Sequence, residues 1–223
     1  MEKDLLLVFD DIKKKISKSY DANKGDKLNA QIDLLKQEYS TIEISERHVA
    51  TYDSLINKGK ELLRDSNIKD EKKIRYYLRY CGAAEFDFRD DIKPLNLILK
   101  SFLLTSTLFF VLAPQYFSFL LPLMFVIPIF LGLRGMKKRV LSGLMMGISV
   151  VPMAILVAVI WLRSAYLALG DFNAFIEGIA KQFNFSMEFT QNLAIACIVM
   201  SAVMLVSSVV LLASAIKYRK MFI

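Results

Sequence analysis

Residues 140–162 read VLSGLMMGISVVPMAILVAVIWL, and residues 192–216 read NLAIACIVMSAVMLVSSVVLLASAI. Neither stretch contains a charged residue. An α-helix rises about 1.5 Å per residue, so each stretch is long enough to cross the roughly 30 Å hydrocarbon core of a bilayer. These two stretches predict membrane-spanning helices and decide the fold class of the chain.

Two further apolar stretches precede them, at Leu95–Leu112 and Tyr116–Leu133. Each has about the minimum length of a spanning helix. The sequence therefore predicts an all-α, polytopic membrane protein with four transmembrane helices, preceded by a cytoplasmic helical hairpin or three-helix bundle. We place the boundary between a cytoplasmic domain of residues 1–92, helical or coiled-coil, and a membrane domain of residues 93–223.

The charged residues differ between these two parts. Residues 1–93 hold 19 Lys or Arg and 19 Asp or Glu, whereas residues 94–223 hold ten and three. The net charge of +7 therefore belongs to the flanks of the apolar stretches. A nucleic-acid-binding protein would instead have a basic stripe on its soluble part, so we expect the bilayer as a partner and no nucleic acid.

Basic residues near span ends predict the orientation, because Lys and Arg are retained on the cytoplasmic side. The connection Ala113–Gln115 has no charge, Arg134–Arg139 has four cations, and the loop before span four has more acidic than basic residues. The tail again holds cations, at Lys217, Arg219 and Lys220. This alternation predicts a multi-pass protein of the plasma membrane with both termini in the cytoplasm.

Three prolines lie inside the predicted spans, Pro122 and Pro128 in span two and Pro152 in span three. A proline removes a helical hydrogen bond and kinks the helix. Span two is therefore predicted to be bent or partly broken. The alternative is a discontinuous helix that lines a binding site, as in transporters.

The N-terminal residues have helical periodicity. A first helix is predicted at about Lys3–Tyr20, followed by a polar turn at Asp21–Asp26. The next helix has apolar residues spaced alternately four and three apart, which is typical of a coiled-coil seam. We predict a partner-binding or self-associating surface within residues 1–65, formed by Leu28, Ile32, Leu35, Tyr39 and Ile42.

An alternative is that this seam packs on the first helix, whose apolar face would receive it. That face is formed by Leu5, Phe9, Ile12 and Ile16. A break is predicted near residue 40, and a last helix from about Asp70 to Tyr80. The acidic residues that follow, Glu85, Asp87, Asp90 and Asp91, are interpreted as a solvated linker.

Small residues recur at helical spacing in spans three and four. In lipid, such residues let helices approach closely. The predicted helix-packing positions are Gly143, Gly147, Ala194, Ser201, Ser208 and Ala215. They would serve oligomerisation or partner docking; in the alternative, spans three and four pack on each other within one chain.

Span one contains one charge, Lys100, followed by the hydroxyl residues Thr105 and Ser106. We interpret these three as a possible pore lining or lipid contact. The alternative for Lys100 is that its stem extends to the headgroup region. In the loop before span four, apolar residues at helical spacing predict an amphipathic outer-loop helix at about 171–189.

No catalytic, cofactor-binding or metal-binding motif is present in the sequence. His48 is the only histidine, and Cys81 and Cys197 fall in different predicted domains. We therefore predict that the chain is not an enzyme. The predicted function is an integral membrane adaptor or assembly subunit whose cytoplasmic helical domain binds a protein partner, and the alternative is a subunit of a homo-oligomeric channel or small transporter.

Overall fold

The computed structural model describes residues 2–64 and 68–223, with side chains from Asp4 onward. Met1 and Asp65, the two ends of the predicted partner-binding segment, lie outside the described residues. Across the described ranges the secondary structure is helical, without a strand. This confirms the all-α class, and the described residues contain four candidate spans that are long and apolar enough to cross a membrane.

The chain divides into two compact units. The helical unit comprises Met1–Lys93 together with Tyr218–Ile223, and the apolar unit comprises Pro94–Lys217. Residues Tyr218–Ile223 therefore belong with the helical unit, although they follow the last candidate span and were predicted to be part of the membrane domain 93–223.

Within the described residues, the helical unit has four long helices. Helix α1 packs against α2 and α3, while α4 packs against α2, α3 and a 3₁₀ turn near the C-terminus. Their bounds are α1 Glu2–Ser19, α2 Ala22–Tyr39, α3 Val49–Leu62 and α4 Glu71–Phe88, with 3₁₀ turns at Glu46–His48 and Arg219–Met221.

The polar turn predicted at Asp21–Asp26 is wrong, because α2 already begins at Ala22. The Asp21 carbonyl accepts hydrogen bonds from the Lys24 and Gly25 N–H groups, at 3.1 and 2.9 Å. The connection is so short that the first turn of α2 lies against the end of α1. A Cβ at Gly25 would lie 3.9 Å from side-chain atoms of Ile16 and Tyr20. The predicted break near residue 40 is confirmed, since α2 ends at Tyr39.

The last helix of this unit is longer than predicted. It continues beyond Tyr80 to Phe88, and Asp90 has a left-handed backbone with φ 50° just after its end. Glu85 is buried inside it, so the interpretation of Glu85 as part of a solvated linker is wrong. Five successive residues, Cys81–Glu85, are buried because α4 is covered there by other elements of the unit.

The apolar unit contains seven helical segments within the described residues. The candidate spans are α5, α7, the consecutive pair α8 and α9, and α11. The bounds are α5 Lys93–Leu112, α6 Pro114–Phe117, α7 Leu120–Lys137, α8 Leu141–Ser149, α9 Val151–Ala168, α10 Phe172–Phe183 and α11 Met187–Lys217.

Two of these candidate spans begin or break close to a proline. Ser118, with φ 53°, separates α6 from α7, and Pro122 lies in the first turn of α7. Pro152 lies in the first turn of α9, directly after α8 ends. Proline is tolerated in a first turn because its missing N–H would have no helical acceptor there. Only Pro128 lies inside a helix.

Helix packing in the apolar unit follows two main contacts, α7 with α8 and α9 with α11. The second contact belongs to a buried cluster that includes Phe109, Val157 and Met204. The Trp161 Nε1–H donates to the Leu112 carbonyl at 3.3 Å, which links α9 to α5.

Candidate functional site

The predicted seam lies in the core of the helical unit. Its five residues, Leu28, Ile32, Leu35, Tyr39 and Ile42, are buried in one cluster with Leu5, Phe9, Ile12 and Ile16 of α1. This arrangement matches the alternative in which the seam packs on the first helix. These five residues are therefore not exposed to a partner.

The tyrosines of this core are held by backbone groups. The Tyr39 hydroxyl donates to the Cys81 carbonyl at 2.7 Å, and the Tyr77 hydroxyl donates to the Leu55 carbonyl at 3.3 Å. Burial raises the pKa of both hydroxyls, and it raises the pKa of the Cys81 thiol to about 12. Because a thiolate is the reactive form of cysteine, this buried thiol is inert at neutral pH.

The outward face of α4 is basic and aromatic. Lys72, Arg75 and Arg79 are exposed, and Tyr76 between them is 52% exposed. Arg75 Nε lies 2.6 Å from Glu71 Oε1. We call these four exposed residues, Lys72, Arg75, Tyr76 and Arg79, the α4 face. At its N-terminal end lies an open surface cavity of about 690 Å³, lined by Lys69–Lys72 and Arg75.

A pair of acidic side chains lies on the other side of α4. Glu85 of α4 and Glu38 of α2 are close enough to form a side-chain hydrogen bond. Lys220 Nζ is 3.5 Å from Glu38 Oε1, and Arg89 Nη2 is 2.9 Å from Glu85 Oε1. Burial raises the pKa of Glu85 to about 7, and Glu38 adds to the rise, while Arg89 and Lys220 oppose it.

This pair was not predicted, because Glu85 was interpreted as part of a solvated linker and Lys220 as a cation of the C-terminal tail that marks the cytoplasmic side. One signal was available: Cys81, Gly82, Ala83 and Ala84 are four small residues in succession. Such a run lets a helix pack closely on more than one side, but it does not identify the elements that cover it.

In the apolar unit, the predicted glycines bring two helices into backbone contact. A Cβ on Gly143 of α8 would collide with the backbone of Gly135 of α7. A Cβ on Gly132 would lie 2.9 Å from the Gly147 backbone nitrogen. Gly143 and Gly147 therefore pack against span two, and their partners Gly132 and Gly135 were not among the predicted residues.

The predicted small residues of α11 are all buried, namely Ala194, Ser201, Ser208 and Ala215. Helix α11 packs mainly against α9, with α10 alongside. For this helix the arrangement matches the alternative in which spans three and four pack on each other within one chain.

The three predicted pore or lipid residues of α5 have different surroundings. Lys100 is exposed, whereas Thr105 and Ser106 are buried. Thr105 Oγ1 is 2.9 Å from Ser207 Oγ of α11, so this hydroxyl joins two helices. Ser106 Oγ is buried and, in the part of the chain that the structure describes, lacks a hydrogen-bond partner.

The amphipathic helix predicted at about 171–189 is α10, which ends at Phe183. Asp171 caps it by accepting a hydrogen bond from the Ala174 N–H at 3.0 Å, and Asn184 ends it with φ 56°. Met187 already belongs to α11, so the predicted C-terminal bound is too late.

Within residues 2–64 and 68–223, no group of three or more His, Cys, Asp or Glu side chains could hold a metal ion. His48 instead lies 3.2 Å from an Asp90 carboxyl oxygen. Comparisons with protein-family models, curated proteins and solved structures find no match to this chain.

Proposed function

We propose that this chain is an integral membrane adaptor or assembly subunit. In this proposal the four candidate spans hold it in the plasma membrane, and the helical unit lies in the cytoplasm and binds a protein partner. The proposal rests on the exposure of the α4 face. The predicted seam, in contrast, is buried in the core of the same unit.

The chemistry of the α4 face favours an acidic protein surface as the partner. Tyrosine and arginine contribute disproportionately to binding energy at protein interfaces. Tyr76 is a large exposed ring among cations, and Arg79 Nε donates only a long 3.4 Å hydrogen bond to the Arg75 carbonyl. Opposite charges would accelerate association and exclude basic competitors.

Two features support a cytoplasmic helical unit. Two of the four cations, Arg134 and Lys137, lie in the last turn of α7, and Lys138 and Arg139 lie in the turn before α8. Retention of cations inside would place this turn in the cytoplasm. With four spans, both ends of the membrane domain emerge on that same side. The packing of the turn Arg219–Met221 on α4 agrees, since segments on both sides of the apolar unit then belong to one compact unit.

Co-purification from native membranes tests the proposal. We expect the full-length protein to carry a stoichiometric partner, and the double variant Tyr76→Ala, Arg79→Glu to lose it. Lys24→Glu, an exposed cation of α2 outside the α4 face, is the matched control and should retain the partner. Circular dichroism of each variant verifies that the helices are intact. A partner that stays bound to the double variant would refute the α4 face.

The alternative, a subunit of a homo-oligomeric channel or small transporter, is favoured by α7. In α7 only 17% of the 18-residue apolar stretch is buried, whereas in α5 the buried share is 44%. Leu123, Met124 and Ile127 of α7 are each more than 65% exposed. A face of this kind contacts either lipid or another copy of the chain.

Native mass spectrometry separates the two functions. If the chain purifies as a homo-oligomer without another protein, the channel subunit is favoured, and flux into liposomes becomes the next measurement. In that case Leu123→Ala with Ile127→Ala should weaken the oligomer, while Leu97→Ala, an exposed leucine of α5, should not.

A further inference from the structure

The C-terminal residues Tyr218–Ile223, which we call the strap, are docked on the helical unit. Met221 is 0% and Phe222 is 1% exposed, although they lie two and one residues from the end of the chain. The strap makes one turn of 3₁₀ helix, in which the Phe222 N–H donates to the Arg219 carbonyl at 3.1 Å. This turn packs against α4.

Charged groups surround the place where the strap meets α4. Lys220 of the strap pairs with Glu38 of α2, and Arg89 pairs with Glu85. Tyr39 of α2 also interacts with Glu85, whose charge raises the pKa of the Tyr39 hydroxyl. On α3, Lys58 interacts with Cys81, one turn before Glu85 in α4.

The two carboxyl groups leave one hydrogen-bond requirement unmet. Glu38 Oε2 is buried and, among the described residues, has no donor. An ionised carboxylate can only accept hydrogen bonds, so two ionised groups cannot bond to each other. A proton on Glu85 supplies the missing donor to Glu38, and it also removes one of two adjacent negative charges.

We propose that the strap docks reversibly on α4, and that a proton held between Glu85 and Glu38 favours the docked state. The strap then uncovers part of α4, together with Met221 and Phe222, when this proton is lost. This inference goes beyond the proposed function and applies equally to an adaptor and to a channel subunit.

The direction of the pH effect follows from linkage. In the docked state the pKa of Glu85 is about 7, and burial is the main cause of the rise. In the proposal the strap contributes part of this burial, so its release moves the pKa towards the ordinary value of 4.5. Docking is therefore strongest below about pH 4.5 and weakens as the pH rises towards about 7, by at most about tenfold per pH unit. Above about pH 7 the docking equilibrium no longer depends on pH. Lys220 attracts the ionised form and reduces the slope.

Amide hydrogen exchange of the full chain in nanodiscs measures docking directly. We expect the protection of the Phe222 N–H, corrected for chemical exchange, to fall by up to about tenfold per unit between about pH 5 and 7. The protection of Ile12 and Ile32 in the core should not follow it, which distinguishes release of the strap from unfolding.

Variants assign the effect to the carboxyl pair. Glu85→Gln mimics the protonated side chain, so its strap should stay docked without pH dependence. Glu38→Gln removes the like charge and supplies an amide donor, so it should narrow the pH range over which docking weakens, while burial maintains part of the effect. Lys220→Gln should weaken docking and keep the pH dependence. Glu71→Gln, in the same helix but paired with Arg75, is the control.

Two results would overturn the proposal. One is constant Phe222 protection across this pH range. The other is a wild-type pH profile in both Glu85→Gln and Glu38→Gln. Two carboxyl variants are used so that a folding defect in one leaves the other decisive.

Discussion

Neighbouring apolar residues of α2 have opposite surroundings. Ile32 is 0% exposed and lies in the core beside α1, whereas Leu34, two positions later, is 54% exposed. A helix turns about 100° per residue, so two residues apart lie on nearly opposite faces. The spacing of four and three residues therefore correctly distinguishes buried Ile32 from exposed Leu34. It does not predict which element covers the seam.

Alanine substitutions test the core position of the seam. We expect Ile32→Ala to lower the free energy of unfolding of the helical unit by about 2–5 kcal/mol, because it leaves a cavity. Leu34→Ala should change it by less than about 0.5 kcal/mol, as is usual at exposed sites. Denaturant unfolding followed by circular dichroism measures both. Equal effects would contradict the burial of Ile32.

At the scale of elements, α7 and α8 form a hairpin whose backbones touch. Gly135 and Gly143 approach so closely that neither has room for a side chain. The turn between the two helices is tight, with Arg139 at φ 55° and the Val140 N–H donating to the Gly135 carbonyl at 2.9 Å. In lipid, close packing of this kind is a main source of helix association.

Gly143→Ala should destabilise this hairpin. The added methyl group meets the backbone of Gly135 and Met136, which cannot rotate aside, and overpacking typically costs about 1–3 kcal/mol. Gly178→Ala is the control, because a Cβ there meets nothing within 4 Å and alanine favours helix. Thermal unfolding in nanodiscs should show a lower midpoint for the first variant only. An unchanged midpoint in Gly143→Ala would exclude the close approach.

Elements were predictable where one feature of the sequence decides them. The four apolar stretches correspond to the four candidate spans, because length and apolarity alone determine that property. Helix ends were predicted with mixed success. The break near residue 40 is confirmed by the end of α2, but α4 extends past its predicted end at Tyr80. Its extension depends on packing of Cys81–Glu85 against residues far away in sequence, which local patterns do not contain.

For the whole molecule, charge and hydropathy are divided between the two units. All three acidic residues after residue 93 lie within 171–188, while the cations of Arg134–Arg139 lie in another connection. Because cations are retained in the cytoplasm, we predict that these two connections lie on opposite sides of the membrane.

Thiol labelling of intact cells tests this orientation. We expect Asn173→Cys in α10 to react with a membrane-impermeant maleimide, and Lys138→Cys to react only after the membrane is opened. The native Cys81 and Cys197 are buried and contribute little background. Labelling of both introduced thiols, or of Lys138→Cys alone, would refute the predicted topology.

The sequence by itself determined the all-α class, the four apolar segments and the distribution of charge, because these depend on composition and periodicity along the chain. Only the tertiary structure decided which surfaces are used. It buries the seam against α1, pairs Gly143 with Gly135, and returns Lys220 to Glu38 across 182 positions of sequence. Contacts between such distant residues arise from packing and burial in three dimensions, and periodicity within one segment does not specify its neighbour.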